Sequence, residues 1–547
     1  MAQTVQSPSV VTPVDLLTEA AATFPNRIAF QIPKPVSSGA RLEEWKTITF
    51  QAFATDVRSC ANYWSHVLRR KSIKQRDIVV LWIDGFAYHE LVHIFALIEG
   101  GYIPQCIPCR LPNPSVVYEL AVLSGAKALL YHPSIQPPND CPFFTHEIPE
   151  LSLEDLVTIQ SPKPGGESYA IARNPDDIVA IYHTSGSTGN LPKLVRFTAR
   201  AVTVMANEHG RKSRRSKPST RVWMGSVAHA GQFFATNVSI VQGDCIVQPR
   251  HHPYTPSQFV DMVQRCSVNV LPIWSPLLSQ IIRAAQQDRS VLSTLRNLDL
   301  IITSGAQFPP DDLKWGRENG LKIVNYFALT EVVGAILHTV PAKTDDPAPH
   351  LFRPVPGIGI KFIPTREDSE FDGIRLLELV VSSSSPLFPG PTFGSQVDGH
   401  LHTGDFFEEV VPGRYQYRGR MDDWIKMSNA TRCDTKAIED HLRSTCSELI
   451  SECVVVGSGR VCPAVLVERH PSFEGNDDTL KKEIVLRSEE FNSRRYTNER
   501  VPGENLIFVV EKGELPRTAT KGNIRRKAVE DKYRNRLDMA YSVSPKL

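Results

Sequence analysis

The feature that most constrains this chain is a repeated alternation of short apolar runs with amphipathic stretches. Residues 77–83 (DIVVLWI) read as a buried strand, and the pattern over about residues 87–97 behind it reads as a helix. Residues 126–131, 178–183, 268–273 and 298–303 are predicted strands of the same kind. Strands separated by helices predict α/β layers with largely parallel sheets. Ahead of them, Thr12-Pro13 supplies an N-cap followed by proline at the first helical position, with Leu16, Leu17, Ala20 and Ala21 as the apolar stripe. Phe53, Val57, Ala61, Trp64 and Leu68 recur every three or four residues and predict a second helix.

At 547 residues the chain is too long for one core, since single cores stop growing at roughly 250–300 residues. Its character changes beyond Gly419. Residues 454–456 and 464–468 read as short strands, 480–496 as a charged helix and 507–510 as a last strand. The expected division is a large N-terminal domain, residues 1–420, and a small C-terminal domain, residues 421–547.

Charge excludes some functions. Lys and Arg number 61 against 59 Asp and Glu, a formal net charge of +2. No global field is available to hold nucleic acid or an anionic membrane. No apolar run reaches the length of a spanning helix, and residues 1–13 lack the basic start and apolar stretch of a secretory signal. The ten cysteines follow no framework spacing, which fits a reducing compartment. Cys106-Ile-Pro-Cys109 reads as two incidental thiols. The cytosol is the expected compartment; the C-terminal Pro-Lys-Leu differs by one residue from the peroxisomal Ser-Lys-Leu address and is the weaker hint.

The predicted strand 178–183 runs into Thr184-Ser185-Gly186-Ser187-Thr188-Gly189, followed by Asn190-Leu191-Pro192-Lys193. Glycines let the backbone approach an anion and turn its N–H groups inward, hydroxyls donate further hydrogen bonds, and a lysine supplies charge. No GxxxxGK[ST] is present, so this is not a Walker A loop. Alone, it is a phosphate cradle or a polar surface loop, which Ser, Thr and Gly also form.

Four more segments choose between these. The chain resembles the adenylate-forming superfamily of acyl-CoA ligases, luciferases and peptide-synthetase adenylation domains. The loop matches that family's Ser/Thr/Gly-rich signature ending in Pro-Lys. Residues 325–331 (NYFALTE) match its Asn-x-Tyr-Gly-x-Thr-Glu, and His402-Thr403-Gly404-Asp405 its Arg-Thr-Gly-Asp. Gly419-Arg420-Met421-Asp422 with Ile425-Lys426 matches its hinge, and Leu515-Pro516-Arg517-Thr518 to Lys521-Gly522 resembles its C-terminal lysine loop. All five occur in the family's order, and the resemblance covers nearly the whole chain.

The resemblance implies the adenylate-forming fold: a large N-terminal domain of layered α/β subdomains and a small, mobile C-terminal α+β domain. It implies an acid–thiol ligase that uses ATP and Mg²⁺ to make an acyl-adenylate, with CoA or phosphopantetheine as acyl acceptor. Thr184, Ser185, Gly186, Ser187, Thr188, Gly189 and Lys193 would hold the β- and γ-phosphates. Glu331 would ligate Mg²⁺, with Thr330 by the α-phosphate and Asn325 and Phe327 bordering the adenine. Asp405, assisted by Arg420, would accept from the ribose hydroxyls. Lys521 would stabilise charge as the carboxylate displaces pyrophosphate, and Asp422 would be the hinge. His229, Gly231, Gln232, Phe233, Gly305, Val332 and Val333 are the candidate acid pocket; Gln232, Phe233, Val332 and Val333 fit ordinary core equally well.

The chain departs from the pattern in several places. Two residues, Asn190-Leu191, precede Pro192 where one is usual; Leu194 and Ala328 replace glycines, Phe327 a tyrosine, and Lys521-Gly522 inverts a usual Gly-Lys. Lys426-Met427-Ser428-Asn429, ending at Ala437-Ile438-Glu439, resembles fungal carboxylate reductases and related peptide-synthetase-like enzymes. No aspartate is visible to hold an α-ammonium near Ala230-Gly231, so an aryl or other non-amino carboxylic acid is the expected substrate. No carrier-serine motif or GxGxxG follows Lys521, so the acceptor thiol is expected from CoA, a carrier protein or a downstream domain. The alternatives are the adenylation domain of a carboxylate reductase and a catalytically impaired nucleotide-binding homologue.

Two other signals are notable. His89-Glu90-Leu91-Val92-His93 fits the HExxH pattern of a zinc hydrolase, the remote alternative. The basic cluster 211–217 (RKSRRSK) reads as a solvated loop, or as a landing site for CoA or phosphopantetheine phosphates.

Overall fold

The computed structural model describes residues 10–34, 44–111, 113–137, 141–149, 172–184, 192–305, 308–341, 348–364, 370–371, 374–390, 393, 398–420, 424–427, 432–493, 500, 503–517 and 524–543. The chain divides into two compact units. One comprises residues 1–361, 380–401 and 410–415, the other residues 362–379, 402–409 and 416–547.

The first unit holds two large sheets. The six-stranded one runs in the order Phe144–Glu147, Ala128–Tyr131, Ile78–Ile83, Ile103–Pro108, Ile178–Thr184, Lys193–Thr198. Every neighbouring pair is parallel except the last, which is antiparallel. Residues 79–83 are almost fully buried, which is why DIVVLWI is continuously apolar rather than alternating.

The nine-stranded sheet runs Arg353–Pro354, Gly334–His338, Ile323–Leu329, Leu300–Ser304, Val270–Trp274, Thr220–Val222, Cys245–Val247, Ile28–Pro33, Trp45–Thr49. It is parallel through its middle and antiparallel at both edges. Leu271, Ile273 and Ile301 meet Phe259, Met262, Leu278, Ile282 and Leu295 from the helices Pro256–Arg265, Ser275–Gln287 and Arg289–Asn297 in one apolar cluster.

Helix starts follow the expected chemistry. Thr12 and Asp15 form a reciprocal capping box on the helix Pro13–Thr23. The helix Phe50–Arg69 buries Phe53, Val57, Cys60, Ala61, Trp64 and Leu68, the stripe its periodicity predicts. The helix Tyr88–Glu99 is buried on nearly every side, Glu90, His93 and Glu99 included.

His93 in this helix is fully buried, and its Nδ1 accepts the indole N–H of Trp64 at 2.9 Å. Burial, with a smaller contribution from neighbouring His89, lowers its pKa to about 3. The unfolded chain takes up this proton below about pH 6.5 whereas the folded one refuses it until about pH 3. This group's contribution is therefore intact above pH 6.5 and weakens on acidification, by up to about 1.4 kcal/mol per pH unit across that window. Urea midpoints between pH 7 and 5 should fall less steeply for His93→Gln than for the unsubstituted protein; equal slopes would refute the assignment.

In the second unit, Ile450–Val456, Ala464–Arg469 and Ile507–Val510 form a three-stranded sheet with an antiparallel and a parallel pair. Period-two alternation builds its two faces. Cys453, Val455, Val465 and Val467 pack with Ile438, Leu442, Leu480 and Ile484 of the helices Thr435–Thr445 and Asp477–Ser493. Val454, Val456, Ala464 and Leu466 pack with Val529 and Leu537 of the helix Arg526–Val543. Among the described residues, no helix is long and apolar enough to cross a membrane.

Candidate active site

The strand Ile178–Thr184 ends where the phosphate cradle is expected to begin. Thr184 lies opposite Lys193 in the antiparallel pair with Lys193–Thr198, so the intervening loop closes a hairpin. Residues 185–191, including Ser185, Gly186, Ser187, Thr188 and Gly189, lie outside the described residues. A strand, not a helix, follows the loop. The residues directly after it therefore offer no helix N-terminus to an anion; Lys193, which is exposed, is the first cation beyond it.

The second part is the strand Ile323–Leu329 and the 3-10 turn Thr330–Val332 that follows it. Asn325 sits beside Thr303 of the neighbouring parallel strand. Its backbone is fixed by exchange with Thr339: the Asn325 N–H donates to Oγ1 at 2.8 Å, and the Thr339 N–H to Asn325 O at 2.9 Å. The Phe327 ring meets Phe352 edge-on at 6.2 Å. Thr330 and Glu331 are half-buried, while Val332 and Val333 are buried.

Val333 has φ +59° and ψ 23°. A β-branched residue in the left-handed region is an outlier, costing about 1–3 kcal/mol. The next residue, Gly334, is closely packed: an added Cβ there would stand 2.5 Å from Phe234 Cε2. The turn also packs beside the strand Ile178–Thr184. The carrier of Glu331 and the strand leading into the cradle are thus neighbours.

The acid-pocket candidates separate on inspection. His229 caps the helix Ala230–Gln242, its Nδ1 accepting from the Gly231 N–H at 3.1 Å. Gln232 is buried and its Oε1 accepts from the N–H groups of Met224 (2.8 Å) and Gly225 (3.1 Å), while Nε2 donates to Thr236. It holds a loop in place. Phe233 is 1% exposed and packs with Tyr182, Phe197 and Phe95, a core position and not a pocket wall. Gly305, at φ +87°, follows the strand Leu300–Ser304.

Sequence reasoning passed over Trp274. The predicted strand 268–273 stops one residue short of it, and a tryptophan closing an apolar run reads as core. In the structure it ends the strand Val270–Trp274 and is half-buried, its ring edge-on to His229 at 5.5 Å.

In the second unit, Asp405 is 2% exposed. Its Oδ1 accepts from the Tyr417 hydroxyl at 3.2 Å, and Arg420 Nη1 lies 3.7 Å from Oδ2. Gly404, at φ +70°, donates its N–H to Glu378 Oε1 at 3.0 Å, and His402 Nδ1 stands 2.9 Å from Glu378 Oε2. Thr403 Oγ1 donates to Leu379 O at 2.8 Å and accepts from the Asp405 N–H at 3.1 Å. A buried carboxylate held by a phenol and a guanidinium can accept from a vicinal diol.

Asp422 and Lys521 lie outside the described residues. The flanks of the lysine loop are well anchored. Arg517 and Ile524 form a β-bridge, Arg525 N–H donates to Pro516 O at 2.8 Å, and Arg517 Nη2 reaches Glu468 at 3.3 Å.

The HExxH reading fails on geometry. Glu90 Oε2 accepts from the N–H groups of Gly85 (2.9 Å) and Ala87 (3.0 Å), capping its own helix, and His93 is engaged by Trp64. Among the described residues no cluster of three or more His, Cys, Asp and Glu could hold a metal ion. The basic cluster is mostly engaged within its unit. Arg211 pairs with Glu19 at 2.6 Å, Lys212 with Glu208 at 2.7 Å, Arg214 lies over Phe24, and Arg215 donates to Ser219.

Comparison with known proteins bears on the family and the fold. A family model of AMP-binding enzymes matches residues 17–372, and one of the AMP-binding enzyme C-terminal domain matches residues 422–544. The AMP-binding domain-containing enzyme iboA of Amanita muscaria (strain Koide BX008) is 32% identical over 526 residues, 92% of this chain and 98% of that protein. The adenylate-forming reductase stbB of Stachybotrys bisbyi is 23% identical over 515 residues, 89% of this chain; the match spans 45% of the reductase. Among solved structures, the o-succinylbenzoate CoA synthetase of Bacillus subtilis with its acyl-adenylate OSB-AMP superposes with TM-score 0.73 at 18% identity, covering 94% and 98% of the two chains. The anthranilate CoA ligase AuaEII with anthranoyl-AMP gives 0.72 at 18%, covering 96% and 98%.

Proposed function

The chain belongs to the AMP-binding enzyme family, and from that premise we propose that it activates a carboxylic acid as its acyl-adenylate, releasing pyrophosphate, and passes the acyl group to a thiol. The class, an adenylate-forming enzyme, follows from membership. The reaction on this chain's own residues is the proposal, and the observation that carries it is the packing of the Thr330–Val332 turn beside the strand ending at Thr184. That neighbourhood supports the reading, because the turn that carries Glu331 lies beside the strand leading into the residues expected to bind phosphate.

The donor set fits ATP with Mg²⁺. Glu331 is half-buried on the Thr330–Val332 turn and makes no ion pair among the described residues; a carboxylate oxygen of this kind suits a hard cation. The ion would screen the phosphate charge. Thr184, Lys193 and residues 185–189 would hold the phosphates, Asn325 and Phe327 the base, Asp405 with Arg420 the ribose, and Lys521 the reacting carboxylate. We place the domain boundary at residues 420/421 with Asp422 as hinge, and the enzyme in the cytosol.

An aryl or other non-amino acid is the substrate class, since no aspartate stands near Ala230-Gly231 to bind an ammonium. CoA and a phosphopantetheine carrier are both suitable acceptors. The partial match to the longer reductase favours a second reading, an adenylation domain acting with a carrier supplied by another domain or polypeptide.

Acid-dependent ATP–pyrophosphate exchange across a panel of acids tests the proposal. Nucleotide binding with no exchange for any acid would replace it by a binding-only function. Glu331→Gln should raise the Mg²⁺ concentration needed for half-maximal exchange by about tenfold, the scale of losing one charged interaction. An unchanged requirement removes Glu331 as ligand.

A further inference from the structure

Trp274 is surrounded by backbone. Gly225 from the loop after the strand Thr220–Val222, Gly231 from the first turn of the helix Ala230–Gln242, and Gly305 after the strand Leu300–Ser304 converge on its indole. An added Cβ would lie 2.7 Å from Nε1 at Gly225, 3.0 Å from Cη2 at Gly231 and 2.5 Å from Cε3 at Gly305. Three elements have each given up a side chain where this ring sits. The distances at Gly225 and Gly305 are too short for a real Cβ and that at Gly231 is at the tight limit, and at Gly305 the left-handed φ of +87° disfavours one independently.

The surroundings are fixed as well. Trp223 donates its indole N–H to Gly225 O at 2.6 Å, and Gln232 holds the Gly225 N–H from the helix. On the other side Ser275 Oγ lies 3.0 Å from Thr303 Oγ1 and donates to Ser304 O at 3.1 Å, fixing the residue after Trp274 to the adjacent strand. Backbone contacts on several sides leave the ring little freedom to swing aside.

Its setting is not that of a core tryptophan. Trp64, Trp82 and Trp223 are at most 1% exposed and belong to the interior, whereas Trp274 is half-buried. It stands at the carboxyl end of a parallel strand, with Ser304 opposite it and Asn325 one strand further at the same edge. Ligands of open α/β sheets bind outside the carboxyl ends of the strands. The indole therefore forms the wall beside His229, Gly231 and Gly305, where the two glycines contribute no side chain of their own.

We infer that Trp274 limits the acid by size: it fills the space that a bulky acyl group would need, so the enzyme selects small carboxylic acids. This rests on the adenylation reading and narrows it to the small, non-aromatic end of the substrate class. Removing an indole down to Cβ opens a niche on the order of 150 Å³, enough for a benzene ring.

The test uses the full chain and a series of N-acyl sulfamoyladenosines, unreactive mimics of the acyl-adenylate, titrated by calorimetry with AMP alongside. The unsubstituted protein should bind the acetyl compound at least about tenfold more tightly than the 3-phenylpropanoyl one, the discrimination a pocket can draw from a few methylenes. Trp274→Ala should shift that ratio by at least about tenfold toward the larger compound, with Trp274→Phe between them. The ratio within each variant cancels any general weakening of binding. A shift below that, or a preference of the unsubstituted protein for the larger compound, overturns the inference. Failure of the unsubstituted protein to bind AMP and every mimic overturns the adenylation reading itself, and this inference with it.

Discussion

Replacing Lys521 by alanine should lower acid-dependent ATP–pyrophosphate exchange at least about a hundredfold, the scale of losing one preorganised contact to charge that develops in the transition state. In acid activation the carboxylate attacks the α-phosphorus, and two anions must approach while negative charge shifts to the leaving pyrophosphate. An ammonium between them is worth most at that point and least in the ground state, so kcat should carry the loss and the KM for ATP should change little. Because Lys521-Gly522 inverts the family's usual order, the register of the lysine needs its own control. Lys512 is exposed in the turn before Leu515, and Lys512→Ala should leave exchange within about twofold. Exchange that survives Lys521→Ala would move the catalytic cation elsewhere. A loss confined to the KM for ATP would make Lys521 a ground-state nucleotide contact.

The anchoring of that loop shows where sequence reading succeeds and where it stops. The strand Ile507–Val510 has the bounds its apolar run predicts, and Cys453 to Val456 alternate between two faces as a period of two requires. Leu515-Pro516-Arg517 could be recognised as a motif. That Glu468, from a strand 45 to 49 residues earlier, receives the Gly513 N–H at 3.1 Å and an Arg517 guanidinium could not, because no local pattern encodes a partner so distant in sequence.

The same limit operates in the first unit. Val333 was legible as an apolar residue after a motif, but neither its left-handed backbone nor the close approach of Gly334 to Phe234 was. Gln232 and Phe233 follow the histidine that suggested a pocket, yet helical geometry turns the amide onto the Met224–Gly225 backbone and the ring into the aromatic core. Trp274 was hidden for the converse reason. Its apolar run is indistinguishable from core until three glycines from distant segments are seen to surround it. The alternation of strands and helices named the architecture; the antiparallel edge strands Ile28–Pro33 and Trp45–Thr49, set beside Cys245–Val247, depend on a pairing across two hundred residues.

Asp405→Ala should raise the KM for ATP about a hundredfold and, more tellingly, abolish discrimination between ATP and 3′-deoxy-ATP. Each hydrogen bond from a ribose hydroxyl to a carboxylate is worth about 1.5–3 kcal/mol, and two lost bonds of the weaker kind give about two decades. Affinity alone does not isolate this effect, because Asp405 is buried beside Arg420 and accepts from Tyr417. Removing it leaves a guanidinium and a phenol without their carboxylate, which also destabilises the unit. The deoxynucleotide separates the two consequences. A structural loss weakens ATP and 3′-deoxy-ATP alike, whereas loss of the ribose acceptor weakens ATP selectively. The unsubstituted enzyme should prefer ATP over 3′-deoxy-ATP by at least about tenfold in kcat/KM, with Asp405→Ala near unity. Tyr417→Phe, which deletes one donor at 3.2 Å and keeps the carboxylate, should retain the preference. If Asp405→Ala still prefers ATP by the full factor, its carboxylate does not touch the ribose, and the Asp405–Arg420 pair is a structural ion pair of the second unit.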